Sequence, residues 1–403
     1  MHRCQCFMLL LATGTLLLML KQSEVMPPGL DDLTEQLQML TSRDGGGGKA
    51  ALPEAPEAPE APEKKQSQVE PADQEVVEVT TTPPQSPEPG SEPLAARLQR
   101  HAGVYRDKSH APELKNVLLL TAANSGYLEM LTNWECIAQR LGLDWMVIAI
   151  DSELQQHLGE RSFSATGKEW QKAEGFFSKG GFQLIACNKI RSVAEVLRST
   201  NLDIVFSDGD NVFKSDPFLP TLTLGSMIRS GKYEYIYGRK IEPGNQKIQN
   251  FKPEIWHQEP NKGNTGFYYV AGGRKQTIVQ KVFDKGVAWC DSRPHMDDQE
   301  NFWDALFDSR RKKRSAKDYV ACFRHCDNNE SCSGIEESQV FNYCDMSPWE
   351  YILGCFTPAS ALEEPRMVAY HATHVVGWES KRKKLQQVKL WAYCNETEIG
   401  SAA

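Results

Sequence analysis

Apolar positions along this 403-residue chain fall into three regimes. The first is one continuous run, residues 6–20. The second, residues 21–110, almost never places large apolar groups in succession. From residue 116 onward, apolar runs of strand length alternate with stretches whose apolar positions recur at helical spacing. Asn116-Val-Leu-Leu-Leu-Thr-Ala-Ala123 is too continuous for a strand with one wet face and predicts a buried parallel strand. Residues 127–141 place apolar groups at 127, 128, 130, 131, 134, 137, 138 and 141, which predicts a helix stopped by Gly142. Residues 145–151 read as a second buried strand, 192–199 as a helix and 202–208 as the next strand. This alternation predicts an α/β domain, a mostly parallel central sheet flanked by helices, whose ligands sit beyond the carboxyl ends of the strands. Those ends carry Thr121, Asn124, Asp151, Asp208 and Asp210, the candidate ligand-binding positions.

The first run, Cys6 to Leu20, is flanked by Arg3 and Lys21 and reads as a targeting segment. As a helix it spans roughly 22 Å, short for a bilayer core of about 30 Å but tolerable in thinner early secretory membranes. Lys21-Gln-Ser-Glu follows where a cleavage site would show small residues. We therefore expect an uncleaved signal anchor at 6–20, a cytosolic tail at 1–5 and a lumenal remainder; secretion after cleavage is the alternative. Residues 22–95 hold 12 of the 22 prolines, with 15 acidic and 4 basic side chains, a net −11. Too little can be buried there to offset chain entropy, so 21–110 is expected to be a disordered Pro/Glu-rich stem. Since the whole chain carries −8, everything outside 22–95 sums to −8 − (−11), about +3. A near-neutral folded part has no basic stripe to track phosphate backbones, which excludes nucleic acid as a partner.

The acidic pair Asp208-Gly-Asp210 is the most informative local feature. Two carboxylates leaving a buried strand are costly unless compensated, and a divalent cation would compensate them. Magnesium or manganese is typically held by one or two carboxylates together with substrate phosphates. Gly209 reads as a spacer that allows close backbone approach. On its own the pair is equally a strand-end turn. Lys189 and Arg191, placed just before the 192–199 helix, are candidate phosphate contacts. Asp297-Asp-Gln299 reads as a helix start, where acids favour the positive amino end whatever their function. Asn264-Thr-Gly-Phe-Tyr-Tyr-Val270 reads as a polar turn entering an apolar strand.

Nine of eleven cysteines lie beyond the 6–20 run, and five crowd into 322–355. In a lumenal chain this predicts a disulfide-pinned insertion over 320–356, with zinc at Cys322-x-x-x-Cys326 as the competitor. The odd total leaves one thiol, expected at Cys136 or Cys187. Asn329-Glu-Ser331 and Asn395-Glu-Thr397 are glycosylation acceptors. The basic run at 310–314 is expected to be a solvated loop, with proteolytic processing and an acidic-ligand patch as alternatives.

Five segments occur in order: Thr121-Ala-Ala-Asn-Ser-Gly-Tyr127 through Trp134, Asp203 through Phe213, Asn264-Thr-Gly-Phe-Tyr-Tyr269, Asp297-Asp-Gln299 and His371-Ala-Thr-His-Val-Val-Gly-Trp-Glu-Ser-Lys381. Together they resemble the nucleotide-diphospho-sugar transferase domain of glycosyltransferase family 77, over about residues 114–394. The resemblance implies a GT-A fold in a single catalytic domain, here 111–397, a nucleotide-sugar donor, a divalent metal and transfer with retention of configuration. It implies that Asp208, Asp210 and His371 hold manganese or magnesium, and that Lys381 faces the donor phosphates, where Lys189 is the further candidate and a solvated helix start its alternative. Asn264 and Gly266 would line the sugar pocket, with Asp298 and Gln299 at the reacting sugar as the catalytic pair. Thr373 stands where asparagine is usual. The function expected is transfer from a nucleotide sugar, a UDP-sugar by expectation, to a glycan or glycoprotein acceptor in the Golgi lumen. The alternative is an inactive domain of the same fold that serves as a glycan-binding or scaffold module.

Overall fold

The structure is a computed structural model that describes residues 92–166, 181–239, 247–250, 262–273, 276–310, 320–326 and 332–392. All of them belong to one compact unit, residues 84–403. The 6–20 run, most of the stem, both glycosylation acceptors and residues 311–314 lie outside the described residues. Among the described residues no helix is long and apolar enough to cross a membrane.

In chain order the elements are α1 (Leu94–His101), β1 (Val117–Ala123), α2 (Leu128–Arg140), β2 (Met146–Ala149), α3 (Ser152–Leu158), β3 (Ser162–Ser164), α4 (Gly181–Ser199), β4 (Asp203–Ser207) and β5 (Asn211–Phe213). They continue with α5 (Thr223–Ser230), β6 (Tyr235–Arg239), β7 (Gly263–Val270), α6 (Gln276–Ser292), α7 (Asp298–Ser309), β8 (Cys322–His325) and β9 (Val340–Asp345). The last are β10 (Tyr351–Leu353), α8 (Pro358–Leu362), β11 (Ala369–His371) and α9 (Trp378–Gln387). An eight-stranded sheet runs in the order β3-β2-β1-β4-β7-β6-β9-β8, and a small second sheet runs β10-β11-β5. In the large sheet every pairing is parallel except the two made by β7, which runs antiparallel to both β4 and β6.

The continuous apolar runs are explained by two covered faces. Leu118 and Leu120 of β1 enter one core with Ile190, Val193 and Phe283, while Val117 and Leu119 enter the other with Leu131 and Trp134. A strand buried on both sides cannot alternate apolar with polar residues. Helix α2 ends where expected: Gly142 takes φ +70°, a left-handed conformation that glycine adopts without strain.

Two expectations are corrected. Residues 94–110, assigned from sequence to the stem, belong to the folded unit: Leu98, Val104 and Tyr105 are buried, and His101 Nδ1 lies 2.9 Å from Asp144 Oδ1. Truncating Leu98 to alanine would cost about 2–5 kcal/mol, as for any fully buried leucine. Cys136 and Cys187 are both in disulfides. Cys187 joins Cys290, tying α4 to α6, and Cys322–Cys332 and Cys326–Cys344 pin the expected insertion. The zinc pairing of Cys322 with Cys326 is thereby excluded. Cys355, buried, is the cysteine outside these bonds among the described residues.

Candidate active site

Two antiparallel pairings assemble the site. β7 lies on β4 with Phe267 opposite Ser207, so the next step brings Gly266 to Asp208, whose N–H donates to the Gly266 carbonyl at 2.7 Å. β11 lies on β5 with His371 opposite Asn211, and the Ala372 N–H donates to the Asp210 carbonyl at 2.9 Å. The imidazole Nε2 then stands 3.3 Å from Asp210 Oδ1 and 3.9 Å from Asp208 Oδ2. One ligand atom from each of Asp208, Asp210 and His371 falls within 4.8 Å of the others. Two carboxylates and an imidazole are a donor set that a divalent cation fits. His371 Nδ1 is buried without a hydrogen-bond partner, so a cation on Nε2 would itself select the tautomer.

Gly266 makes this convergence possible. A Cβ there would overlap His371 Cε1 and sit 2.5 Å from Asp208 Oδ2. Gly209, between the two acids, has nothing within 4 Å of where its Cβ would be, so the close approach expected of it belongs to Gly266 instead.

Each acid has a lysine. Lys381 Nζ is 2.8 Å from Asp210 Oδ2, and Lys189 Nζ lies 2.9 Å from Asp208 Oδ1 and 3.1 Å from Asp298 Oδ2. Burial opposes the charge on Lys189, but Asp208 and Asp298 outweigh it and hold its pKa well above the ordinary lysine value. Burial likewise opposes the charge on Asp210, yet Lys381 and His371 hold it far below the usual carboxylate range. Lys381 is raised because Asp210, with smaller contributions from Tyr127 and Asp208, overcomes its burial. Lys189 lies inside α4, not ahead of a helix; Arg191 turns to Asp291 and Asn188 and lines neither cavity.

Two cavities meet over these groups, and Tyr127, Lys189, Asp208, Asp210 and Lys381 line both. The larger, about 310 Å³, holds Asn264, Gly266, Asp297, Asp298, Gln299 and His371, with residues 373–377 along one side. Asp298 Oδ2 accepts from Thr265 Oγ1 at 2.8 Å as well as facing Lys189, and Gln299 Oε1 accepts from Asn264 Nδ2 at 3.1 Å. Asp297 caps α7 by accepting from the Glu300 N–H, and burial with the neighbouring Asp298 charge raises its pKa. The smaller cavity, about 130 Å³, has apolar walls from Ala122, Ala123, Met130, Leu131 and Ile150. Asn124 also lines it, and both its amide atoms are buried without partners.

The other two strand-end positions do not reach either cavity. Thr121 is fully buried, and its hydroxyl lines neither. Asp151 caps α3: one oxygen accepts from the Leu154 N–H at 2.8 Å, the other from the Ser125 N–H at 2.8 Å. That carboxylate fixes the loop after β1. Sequence reading missed Tyr127 as a wall of both cavities, because its helical spacing made it look like core, and missed Thr265 as the partner of Asp298. Thr373, which departs from the expected pattern, keeps a local role: its hydroxyl accepts from the Gly354 N–H at 3.1 Å, and its carbonyl accepts from Lys384 at 2.9 Å.

The family described as nucleotide-diphospho-sugar transferase matches residues 143–385. Among solved structures, a glycosyltransferase involved in glycosylation of the major capsid of PBCV-1 aligns over 67% of this chain and 98% of its own, at 10% identity and TM-score 0.37. The glycosyltransferase GlyE of Streptococcus pneumoniae TIGR4 aligns over 71% of this chain and 62% of its own, at 10% identity and TM-score 0.36. The galactosyltransferase LgtC, in complex with donor and acceptor sugar analogues, aligns over 70% of this chain and 99% of its own, at 11% identity and TM-score 0.36. No curated protein sequence matches this chain.

Proposed function

Because the chain belongs to the nucleotide-diphospho-sugar transferase family, we propose that it moves a sugar, with retention, from a UDP-sugar to a glycan or glycoprotein acceptor, using the Asp208, Asp210 and His371 cluster. The observation that carries this reading is the convergence of those three ligand atoms within 4.8 Å at the meeting of two cavities. A divalent cation held there, manganese by preference since one ligand is an imidazole, would neutralise charge building on the departing diphosphate.

The protein's own groups then have separable tasks. The small apolar cavity suits a flat base, and Asn124 offers it one donor and one acceptor. Lys381, a compact charge on a flexible stem, can turn from Asp210 to a phosphate once a cation takes over that carboxylate. Lys189 stays between Asp208 and Asp298 as the cation shared by both. Asp298, ion-paired and hydrogen-bonded through one oxygen, is suited to orienting the sugar and stabilising positive charge at the anomeric carbon. Asn264 and Gln299 hold each other as a polar edge of the larger cavity. The disulfides agree with a lumenal setting, in which residues 6–20 would anchor the chain in the Golgi membrane.

The test uses the full chain with a panel of nucleotide sugars, measuring donor hydrolysis with manganese, with chelator and for Asp210→Asn. Turnover should need the cation and fall by at least about 100-fold in the variant. Turnover that ignores the cation and survives the substitution would sink the proposal.

A further inference from the structure

A second cluster with metal-ligand chemistry lies away from both cavities. His325 closes β8, Cys326 follows it, and Asp345 closes β9. His325 Nε2 is 3.3 Å from Asp345 Oδ1, and Cys326 Sγ is 3.7 Å from each of them. Around a tetrahedral zinc, bonds of about 2.3 Å to sulfur and 2.0–2.1 Å to nitrogen or oxygen put neighbouring ligands about 3.3 Å apart for nitrogen and oxygen, and about 3.6 Å apart when one is sulfur. The three measured separations are therefore those of three corners of a zinc tetrahedron. The fourth corner is at hand: Cys326 is bonded to Cys344, one residue before Asp345.

In the oxidised chain neither sulfur is a thiolate, and the disulfide does the stapling. We propose that reduction of Cys326–Cys344 opens a zinc site made of Cys326, Cys344, His325 and Asp345, so that a zinc–thiolate staple replaces the covalent one. The exchange balances with a dithiol reductant: the reductant's two sulfurs become a disulfide, Cys326 and Cys344 become thiols, and each loses its proton as zinc binds. Pairing β8 beside β9 in parallel register, His325 opposite Tyr343, places both strand ends together before any metal arrives. Arg239 already holds the other carboxylate oxygen, Asp345 Oδ2, at 2.5 Å and leaves Oδ1 facing the cluster. One contact must yield: the Tyr237 hydroxyl, 3.1 Å from His325 Nε2, has to give up that nitrogen.

This proposal is independent of the transferase site, and its readout distinguishes the two, because Asp208, Asp210 and His371 include no sulfur. The full chain, oxidised or treated with a dithiol and then freed of it without air, is titrated with cobalt as a spectroscopic zinc probe and then with zinc against a chromophoric chelator. Only the reduced chain should show a sulfur-to-cobalt charge-transfer band and one added tight zinc. His325→Ala should weaken that zinc by at least about 10-fold. The paired change Cys322→Ser with Cys332→Ser, which removes the neighbouring disulfide, should leave it in place. A reduced chain with no charge-transfer band would overturn the proposal, as would a band unaffected by His325→Ala.

Discussion

The Asp208, Asp210, His371 cluster and the His325, Cys326, Asp345 cluster look alike as inventories: each gathers a histidine, an aspartate and a third ligating side chain with ligand atoms within 4.8 Å. They differ in what answers their charge. At the first, the partners are two lysines, Lys189 and Lys381, and the groups face cavities. At the second, Asp345 is answered by Arg239, His325 meets Tyr237, Cys326 is covalently committed, and neither cavity is lined by them. A lysine is a point charge on a flexible stem and can hand its carboxylate to a cation. An arginine with its planar fork is a fixed partner. Exchangeable counter-charge beside open space marks a place built for a charged ligand. Saturated charge without space marks a staple.

The strongest way to break this contrast is to close the first cluster. Gly266→Ala places a methyl group against His371 and Asp208, so the ligand atoms must separate. Displacements of about 1 Å cost roughly 100-fold in rate at sites of this kind. We expect a loss of cation-dependent turnover of that size and a matching weakening of manganese binding, read by titration, with the melting transition little moved. Full activity in this variant would mean the three groups do not act together.

The reciprocal change is Asp345→Asn. It leaves Arg239, 6% exposed at its side chain, as a buried charge without its counter-ion, a defect that typically costs 3–5 kcal/mol, so about that much should be lost on denaturant unfolding. Turnover by the surviving folded protein should be unchanged within about two-fold, because no group of this cluster lines either cavity. A fall in activity without a fall in stability would reverse the assignment of roles.

How much of this was legible beforehand follows from the physics of each signal. β1, β2 and β4 announce themselves because both faces are covered and their apolar runs are unbroken. β5, β10 and β11 have three residues each, too few for any periodicity. They nevertheless bring His371 to Asp210, so that meeting was reachable only through resemblance. The partnership of Lys189 with Asp298 joins α4 to α7 across more than 100 residues and leaves no local trace. Cysteine spacing could predict a pinned insertion but not its pairing, since connectivity depends on which Cβ atoms meet in space. Residues 94–101 were lost in a window dominated by proline and acid, although Leu98 of that helix is buried in the core.

That last misreading leads to the smallest effect and a pH-dependent one. Asp144 accepts from the Trp145 N–H at 3.0 Å, faces His101 Nδ1 at 2.9 Å and pairs with Lys108 Nζ at 2.7 Å, so one carboxylate ties the 94–110 segment to the start of β2. Burial pushes its pKa up, but the bonds to His101 and Lys108 outweigh that and hold it below the ordinary carboxylate value. A folded pKa depressed below the unfolded one stabilises the fold above about pH 4, and that contribution fades as pH falls through the folded value. Asp144→Asn should therefore cost about 1 kcal/mol at pH 7, with wild type and variant converging below pH 4. Because this group is saturated in the manner of Asp345, turnover should stay level throughout. A stability difference that persists unchanged into acid would show that shape, and not charge, holds the segment down.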